Sequence, residues 1–209
     1  MTQTSSHPRY RELYEELKQA SFEAFRASAA KHAGEKFYSV ALYTSGTYGY
    51  IVDSVSTFEG LEQVAAHYLG KSSYLVEWGT LDTAMKALKW NTPDSPYHVE
   101  FEGHFERAQE ALASIWAGVD YDDSDQYWSV YREIRNIFYA VLAEIRDSGI
   151  FDKDEVIFAL LVGDLSDEEH LINAEPLNAK PLVDRLRSEL TIDEKQLEWV
   201  RESLATNAG

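Results

Sequence analysis

The chain contains no cysteine. Disulfide staples, thiolate nucleophiles, Cys-ligated zinc and iron–sulfur clusters are therefore excluded. A staple is also unnecessary, because a chain of 209 residues buries roughly 70% of its unfolded surface on folding. Long apolar runs are missing as well. The longest, Val156–Val162, has the length of a strand and falls far short of the ~18 apolar residues of a membrane helix. Residues 1–8 carry no basic stretch followed by an apolar one, so no secretory leader is read there and a cytoplasmic protein is expected. Proline and glycine are sparse, at 5 and 11, and no Pro/Gly/Ser linker, repeat or low-complexity tract divides the chain. One domain is expected over residues 9–205, between disordered ends at 1–8 and 206–209.

Positive charge is the scarcest commodity. Nineteen Lys and Arg stand against 36 Asp and Glu, a net charge of −17. Phosphate backbones need clustered cations, so nucleic acid is excluded as a partner, and anionic membrane surfaces are disfavoured for the same reason. The excess is concentrated. Asp94–Asp125 holds nine acids and one base, and Asp147–Glu175 again holds nine acids and one base. Charge runs commonly serve as solvated faces. The sharper reading is a surface for a basic protein, built from Asp120, Asp122, Asp123 and Asp125 in the first segment and Asp164, Asp167, Glu168 and Glu169 in the second. Clustered carboxylates speed encounter with a cationic partner and set specificity.

Hydrophobic periodicity supplies the elements. Arg9–Lys31 reads as a helix closed by Gly34. Lys36–Thr44 and Tyr48–Val55 read as strands joined by Ser45-Gly46-Thr47. Their faces alternate, with Phe37, Ala41 and Tyr43 on one and Tyr38, Val40 and Leu42 on the other, so cover on both sides is expected. Ser56-Thr57-Phe58-Glu59 has the capping-box pattern and opens a helix that Gly70 ends. Tyr74–Trp78 reads as a short strand, Leu81–Leu88 as a short helix, Asn91–Pro96 as irregular and Phe101–Trp116 as helix. Gln126–Arg146 is the clearest helix, with Tyr127, Tyr131, Ile134, Phe138, Val141, Leu142 and Ile145 on one face and Gly149 beyond its end. Glu155–Gly163 reads as a buried strand. Capping boxes at Ser166–Glu169 and Thr191–Glu194 open two further helices, and Pro181 leads into another at Leu182–Leu190. The fold class is α+β: a small, mainly antiparallel sheet of three to four strands covered by several helices.

Motifs for chemistry are few. His98-Val-Glu100-Phe-Glu102-Gly-His104 would present two imidazoles and two carboxylates on one face of a strand, but only His98 and Glu102 as neighbours on a helix. Asp120–Asp125 superficially resembles a calcium loop, yet it lacks glycine at the sixth position and glutamate at the twelfth. An acidic turn entering a helix N-terminus explains it more simply. No nucleophile elbow, P-loop or dinucleotide fingerprint is present, so no catalytic residue, metal or cofactor is assigned. Trp78, Trp90 and Tyr97 lie in irregular sequence, where they line a groove or plug the end of the sheet.

Several short segments together resemble a bacterial family known as domain of unknown function 4303. They are Phe37-Tyr38-Ser39-Val40-Ala41-Leu42, Ser56-Thr57-Phe58-Glu59-Gly60-Leu61, Lys89-Trp90-Asn91-Thr92-Pro93 running on to Pro96-Tyr97-His98, Val156–Leu165, and Leu177-Asn178. The likeness covers roughly residues 10–190. A second tryptophan, usual in that family shortly after the proline, is replaced here by Asp94-Ser95-Pro96. The resemblance implies a fold and no catalytic residues. Families of this kind often accompany polymorphic toxins, whose basic domains are blocked by acidic immunity proteins. The leading expectation is therefore a non-enzymatic acidic interaction protein of the immunity type. Two alternatives stay open: a metal-dependent enzyme or metal-binding protein using His98–His104, and a small-molecule sensor using the Trp78, Trp90 and Tyr97 groove.

Overall fold

The structure, a computed structural model, describes residues 7–71, 79–163 and 165–206. The expected strand at Tyr74–Trp78 lies outside the described residues. In chain order the elements are α1 (Pro8–Lys31), β1 (Phe37–Thr44), β2 (Ile51–Thr57), α2 (Phe58–Lys71), α3 (Leu81–Leu88), β3 (Tyr97–His98), α4 (Glu106–Trp116), α5 (Ser124–Asp147), β4 (Ile157–Val162), α6 (Asp167–Ala174), α7 (Lys180–Glu189) and α8 (Glu194–Thr206). The four strands form one sheet in the order β3-β2-β1-β4. β1–β2 and β2–β3 are antiparallel, while β1 and β4 run parallel, from Ser39↔Ile157 to Thr44↔Val162. The α+β class and the mainly antiparallel sheet are thus as expected, with one parallel edge.

Helices cover both faces. α1, α4 and α5 bury Leu13, Leu17, Phe25, Leu112, Ile134, Phe138, Val141 and Leu142 against Val40, Leu42, Val55, Phe158 and Leu160. On the opposite face Ala41, Ile157, Ala159 and Leu161 meet Leu171, Leu182, Leu186, Leu197 and Val200 of α6–α8. Beside them Tyr38 packs with Leu61, Ala65, Ala84 and Leu88 of α2 and α3. The alternation of β1 is not the regular one. A bulge shifts the register between Phe37 and Ser39. One extra residue reverses the sides before it, so Phe37 joins Val40 and Leu42 while Tyr38 faces the other way.

Other local expectations shift by a residue or more. Gly34 has no left-handed backbone; α1 ends at His32, whose N–H donates to the Ser28 carbonyl, whereas Gly149 beyond α5 does adopt φ +77°. Gly70 lies inside α2. β2 starts at Ile51 rather than Tyr48, and the left-handed residue of the β1–β2 loop is Tyr48 at φ 52°, not a glycine. The cap of α2 is Thr57, whose Oγ1 accepts the Gly60 N–H at 2.9 Å, while Glu59 takes the Lys36 N–H at 2.8 Å. Gly60 also passes so close to Pro96 that a Cβ would sit 2.9 Å from its ring. The Ser166–Glu169 box forms in full. At α8 the cap is Asp193, which accepts the Lys195 N–H at 2.9 Å, and not Thr191.

Ile134 and Phe138 are fully buried on α5. Truncating either to alanine should cost roughly 2–5 kcal/mol in urea melts, through lost contacts and the cavity left behind. Glu133→Ala, off the buried stripe, should change stability by no more than about 0.5 kcal/mol. Equal losses at both kinds of position would contradict this packing.

Candidate functional site

The loop between α4 and α5 is held by its own carboxylates. Asp123 caps α5, accepting the N–H groups of Asp125 at 3.1 Å and Gln126 at 3.0 Å. Asp120 accepts the Asp122 N–H at 3.0 Å. Negative charge at a helix N-terminus is favourable, so the acidic run folds into a fixed turn. Asp120, Asp122, Asp123 and Asp125 are all exposed on it. Tyr121, between the first two, is 67% exposed.

Behind the loop lies an aromatic wall that sequence reading missed. Tyr121, Tyr127 and Trp116 stack or tilt against one another at 5.5–6.4 Å, and Tyr127 meets Trp128 edge-on at 5.2 Å. Trp116 is anchored by its Nε1–H, which donates to the Tyr48 carbonyl at 2.9 Å. Together with Thr47 and Gly49, Trp116, Tyr121 and Tyr127 line an open groove of about 500 Å³, shared with Val119. The available signal was Tyr121 itself, an aromatic inside an acidic run.

The second acidic segment is arranged otherwise. Asp167 accepts the Thr191 N–H and Glu168 the Asp193 N–H, each at 2.7 Å, and Glu169 completes the capping box of α6. Glu168 is buried. Burial would raise its pKa, but backbone N–H donors outweigh that and hold it below the usual carboxylate range. Glu175 pairs with Arg201, and Asp147 with Arg146. Asp164 lies outside the described residues. The candidates at 167–169 thus bind backbone of their own chain. The two segments nevertheless flank one loop: Glu169 lines a cavity with Gly46 and Tyr48, whose neighbours Thr47 and Gly49 line the groove.

His98, Glu100, Glu102 and His104 do not share a face. β3 ends at His98, Val99 turns with φ 62°, and Glu102–Phe105 is a 3-10 turn. His98 meets Ser54 Oγ at 3.2 Å, Glu100 pairs with His32 and Lys31, His104 meets Glu23 at 3.2 Å, and Glu102 is exposed. Among the described residues no three His, Asp or Glu side chains are grouped to hold a metal ion. The groove trio separates too. Trp90 packs on the α2–α3 and α6–α8 side, and its Nε1–H donates to Glu189 at 3.1 Å. Tyr97 packs into the α1 side, stacked on His32 at 3.8 Å with its hydroxyl donating to Glu35. Trp78 lies outside the described residues.

A family model described as domain of unknown function (DUF4303) matches residues 17–179. The chain belongs to the DUF4303 family. No match was found among curated proteins, and none among solved structures. In this DUF4303 chain the resembling segments have structural duties. Phe37–Leu42 is the centre of the sheet. Asn178, of the Leu177-Asn178 dipeptide, takes the Phe158 N–H at 2.9 Å and donates to the Phe158 carbonyl at 2.7 Å, so it seals the outer edge of β4.

The turn after β3 depends on Asp53 in β2, which is fully buried. Its carboxylate accepts the Phe101 N–H at 3.2 Å, and its carbonyl accepts the Val99 N–H at 3.0 Å. Burial pushes the Asp53 carboxyl up to about 6, which the Phe101 N–H only partly offsets. A carboxyl raised in the folded state favours folding while protonated and loses that contribution as pH rises. Between about pH 4 and pH 6 the protein should therefore lose on the order of 3 kcal/mol from this group. Asp53→Asn keeps an acceptor for Phe101 and carries no charge. Urea melts should show the variant gaining stability over wild type at pH 7.5 and losing that advantage at pH 4. A difference independent of pH would remove the buried-carboxylate account.

Proposed function

We propose that this DUF4303 protein binds a basic segment of a partner protein in the groove beside Asp120–Asp125. The observation that carries the reading is Tyr121, 67% exposed between two exposed aspartates at the rim of an aromatic groove. An Arg or Lys side chain there gains ring attraction, worth about 0.5–1 kcal/mol at an exposed site and more when desolvated. The surrounding carboxylates guide it in. The groove volume of about 500 Å³ suits an inserted side chain with its neighbours. The finer form of the proposal is an immunity-type inhibitor that covers a cationic toxin surface. The metal and sensor alternatives find less support, because His98–His104 diverge and Trp90 and Tyr97 pack on opposite sides of the sheet.

Capture from the source cell, followed by stopped-flow mixing, tests the reading. Association should be fast at 0.01 M salt and slow markedly toward 0.1 M, as the Debye length shrinks from about 30 to about 10 Å. Asp120→Asn/Asp122→Asn/Asp125→Asn should lower the on-rate several-fold at low salt and leave the fold intact, since exposed carboxylates contribute little stability. Tyr121→Ala should instead speed dissociation. A captured protein that is not basic, or one that binds both variants like wild type, would sink the proposal.

A further inference from the structure

In a chain with almost twice as many acids as bases, a half-buried cation without a carboxylate is an anomaly. Arg135 on α5 is such a cation. Among the described residues no Asp or Glu lies within ion-pair distance of its guanidinium. Its partner is the phenol of Tyr139, over whose ring it sits at 5.4 Å, with Tyr48 and Tyr131 the other near groups. Removing a guanidinium from water is costly unless an anion compensates.

Arg135 lines a cavity of about 180 Å³, roughly six water volumes. The cavity lies where the parallel strands β1 and β4 end, at Thr44 and Val162, with the Gly163 N–H donating to the Thr44 carbonyl. In open sheets with parallel strands, ligands bind beyond these carboxyl ends. The polar side chains lining it include several that can donate. Beside the guanidinium stand the phenols of Tyr48 and Tyr131 and the amide of Asn173. The Asn173 Oδ1 is already engaged by the Tyr139 hydroxyl at 2.9 Å, which leaves its N–H groups to donate. Glu169 also lines the wall; its carboxylate is held at the start of α6, where Oε2 accepts the Ser166 N–H, and its charge favours seating a ligand carboxylate at the guanidinium rather than beside it. Val162 and Leu165 give an apolar side.

We infer that this cavity binds a small organic monocarboxylate, its carboxylate on the Arg135 guanidinium and its apolar body against Val162, Leu165 and the tyrosine rings. A planar fork matches a carboxylate in two parallel hydrogen bonds. One guanidinium neutralises a monoanion, whereas a dianion would carry surplus charge into a protein already at −17, at a cost in repulsion.

The test is calorimetry and thermal melting on the full chain, at constant ionic strength, with benzoate and isobutyrate as probes. Benzamide and inorganic phosphate serve as neutral and dianionic controls. One of the two carboxylates should bind at millimolar affinity or better and raise the melting temperature with dose, while both controls do not. Arg135→Met should abolish that binding. Without ligand its stability should equal or exceed that of wild type, because a lone desolvated charge has been replaced by an apolar chain of similar length. If Arg135→Met fails to fold, Arg135→Lys provides the reading: it keeps the charge, loses the fork, and should weaken binding at least fivefold. Asp120→Asn/Asp122→Asn/Asp125→Asn should retain carboxylate binding, so this result is independent of the basic-partner reading. The inference is overturned if neither carboxylate binds at 10 mM, if benzamide or phosphate binds as well, or if binding survives both Arg135 variants.

Discussion

β1 is the constraint on which the rest of the molecule hangs. It is the only strand among the described residues hydrogen-bonded along both edges to long neighbours, and helices bury both of its faces. A strand in that position has no solvent to fall back on, so each backbone group must be paired. The antiparallel edge is supplied locally by β2. The parallel edge is supplied by β4, more than a hundred residues later in the chain, after α2, α3, α4 and α5. β4 in turn presents an outer edge, and exposed edges invite association. Asn178 closes it by pairing with both polar groups of Phe158, as a further strand residue would. Its Nδ2 also reaches the Ala174 carbonyl at 2.7 Å, tying the closure to the end of α6.

The charge of the chain divides by use. In the second acidic segment Asp167, Glu168 and Glu169 serve as hydrogen-bond acceptors for backbone N–H groups at the start of α6 and at the entry to α8. A buried carboxylate with such donors is stable where a free one is not, so the charge at 167–169 belongs to the fold. In the first segment the aspartates cap one turn and then face water. Equal net charge in the two stretches therefore conceals unequal availability to a partner. Of the two stretches, among the described residues, only the first, in its loop at 120–125, sets an exposed aromatic ring, Tyr121, among exposed carboxylates.

How much could be read from residues alone follows the same physics. The long stripes of α1 and α5, with Leu13, Leu17, Phe25, Ile134 and Phe138, were legible because burial on one face leaves a 3.6-residue period. The α+β class followed from the order of elements. The bulge at Tyr38 was not legible: a run apolar on both faces carries no phase to betray a slip of one residue. Thr57 displaced Ser56 as cap because the last strand residue, already fixed by pairing with Phe37, is the one whose hydroxyl reaches Gly60. The parallel pairing of β4 depends on a contact across the whole chain. At the candidate site the acidic loop was legible by composition. The groove was not, because two of its walls, Thr47 and Gly49, come from a hairpin some seventy residues earlier. Trp90 and Tyr97 drew attention for lying in irregular sequence, but each is consumed by packing within the fold.

That hairpin loop sets the geometry of both proposed sites. Its central residue, Tyr48, holds a left-handed backbone with a full side chain, a conformation costing about 1–2 kcal/mol. The strain persists because the side chain is over-determined. The ring is 2% exposed, stacks on Tyr131 at 4.3 Å and meets Phe138 edge-on at 5.5 Å. Its carbonyl holds Trp116, the floor of the groove. A glycine at this position would relieve the backbone and lose the ring, leaving the Trp116 anchor on a more flexible loop and the Arg135 cavity without one wall. The loop therefore favours an apparently unsuitable residue for a physical reason. One strained tyrosine fixes the aromatic groove on one side and the Arg135 cavity on the other, and a relaxed turn would fix neither.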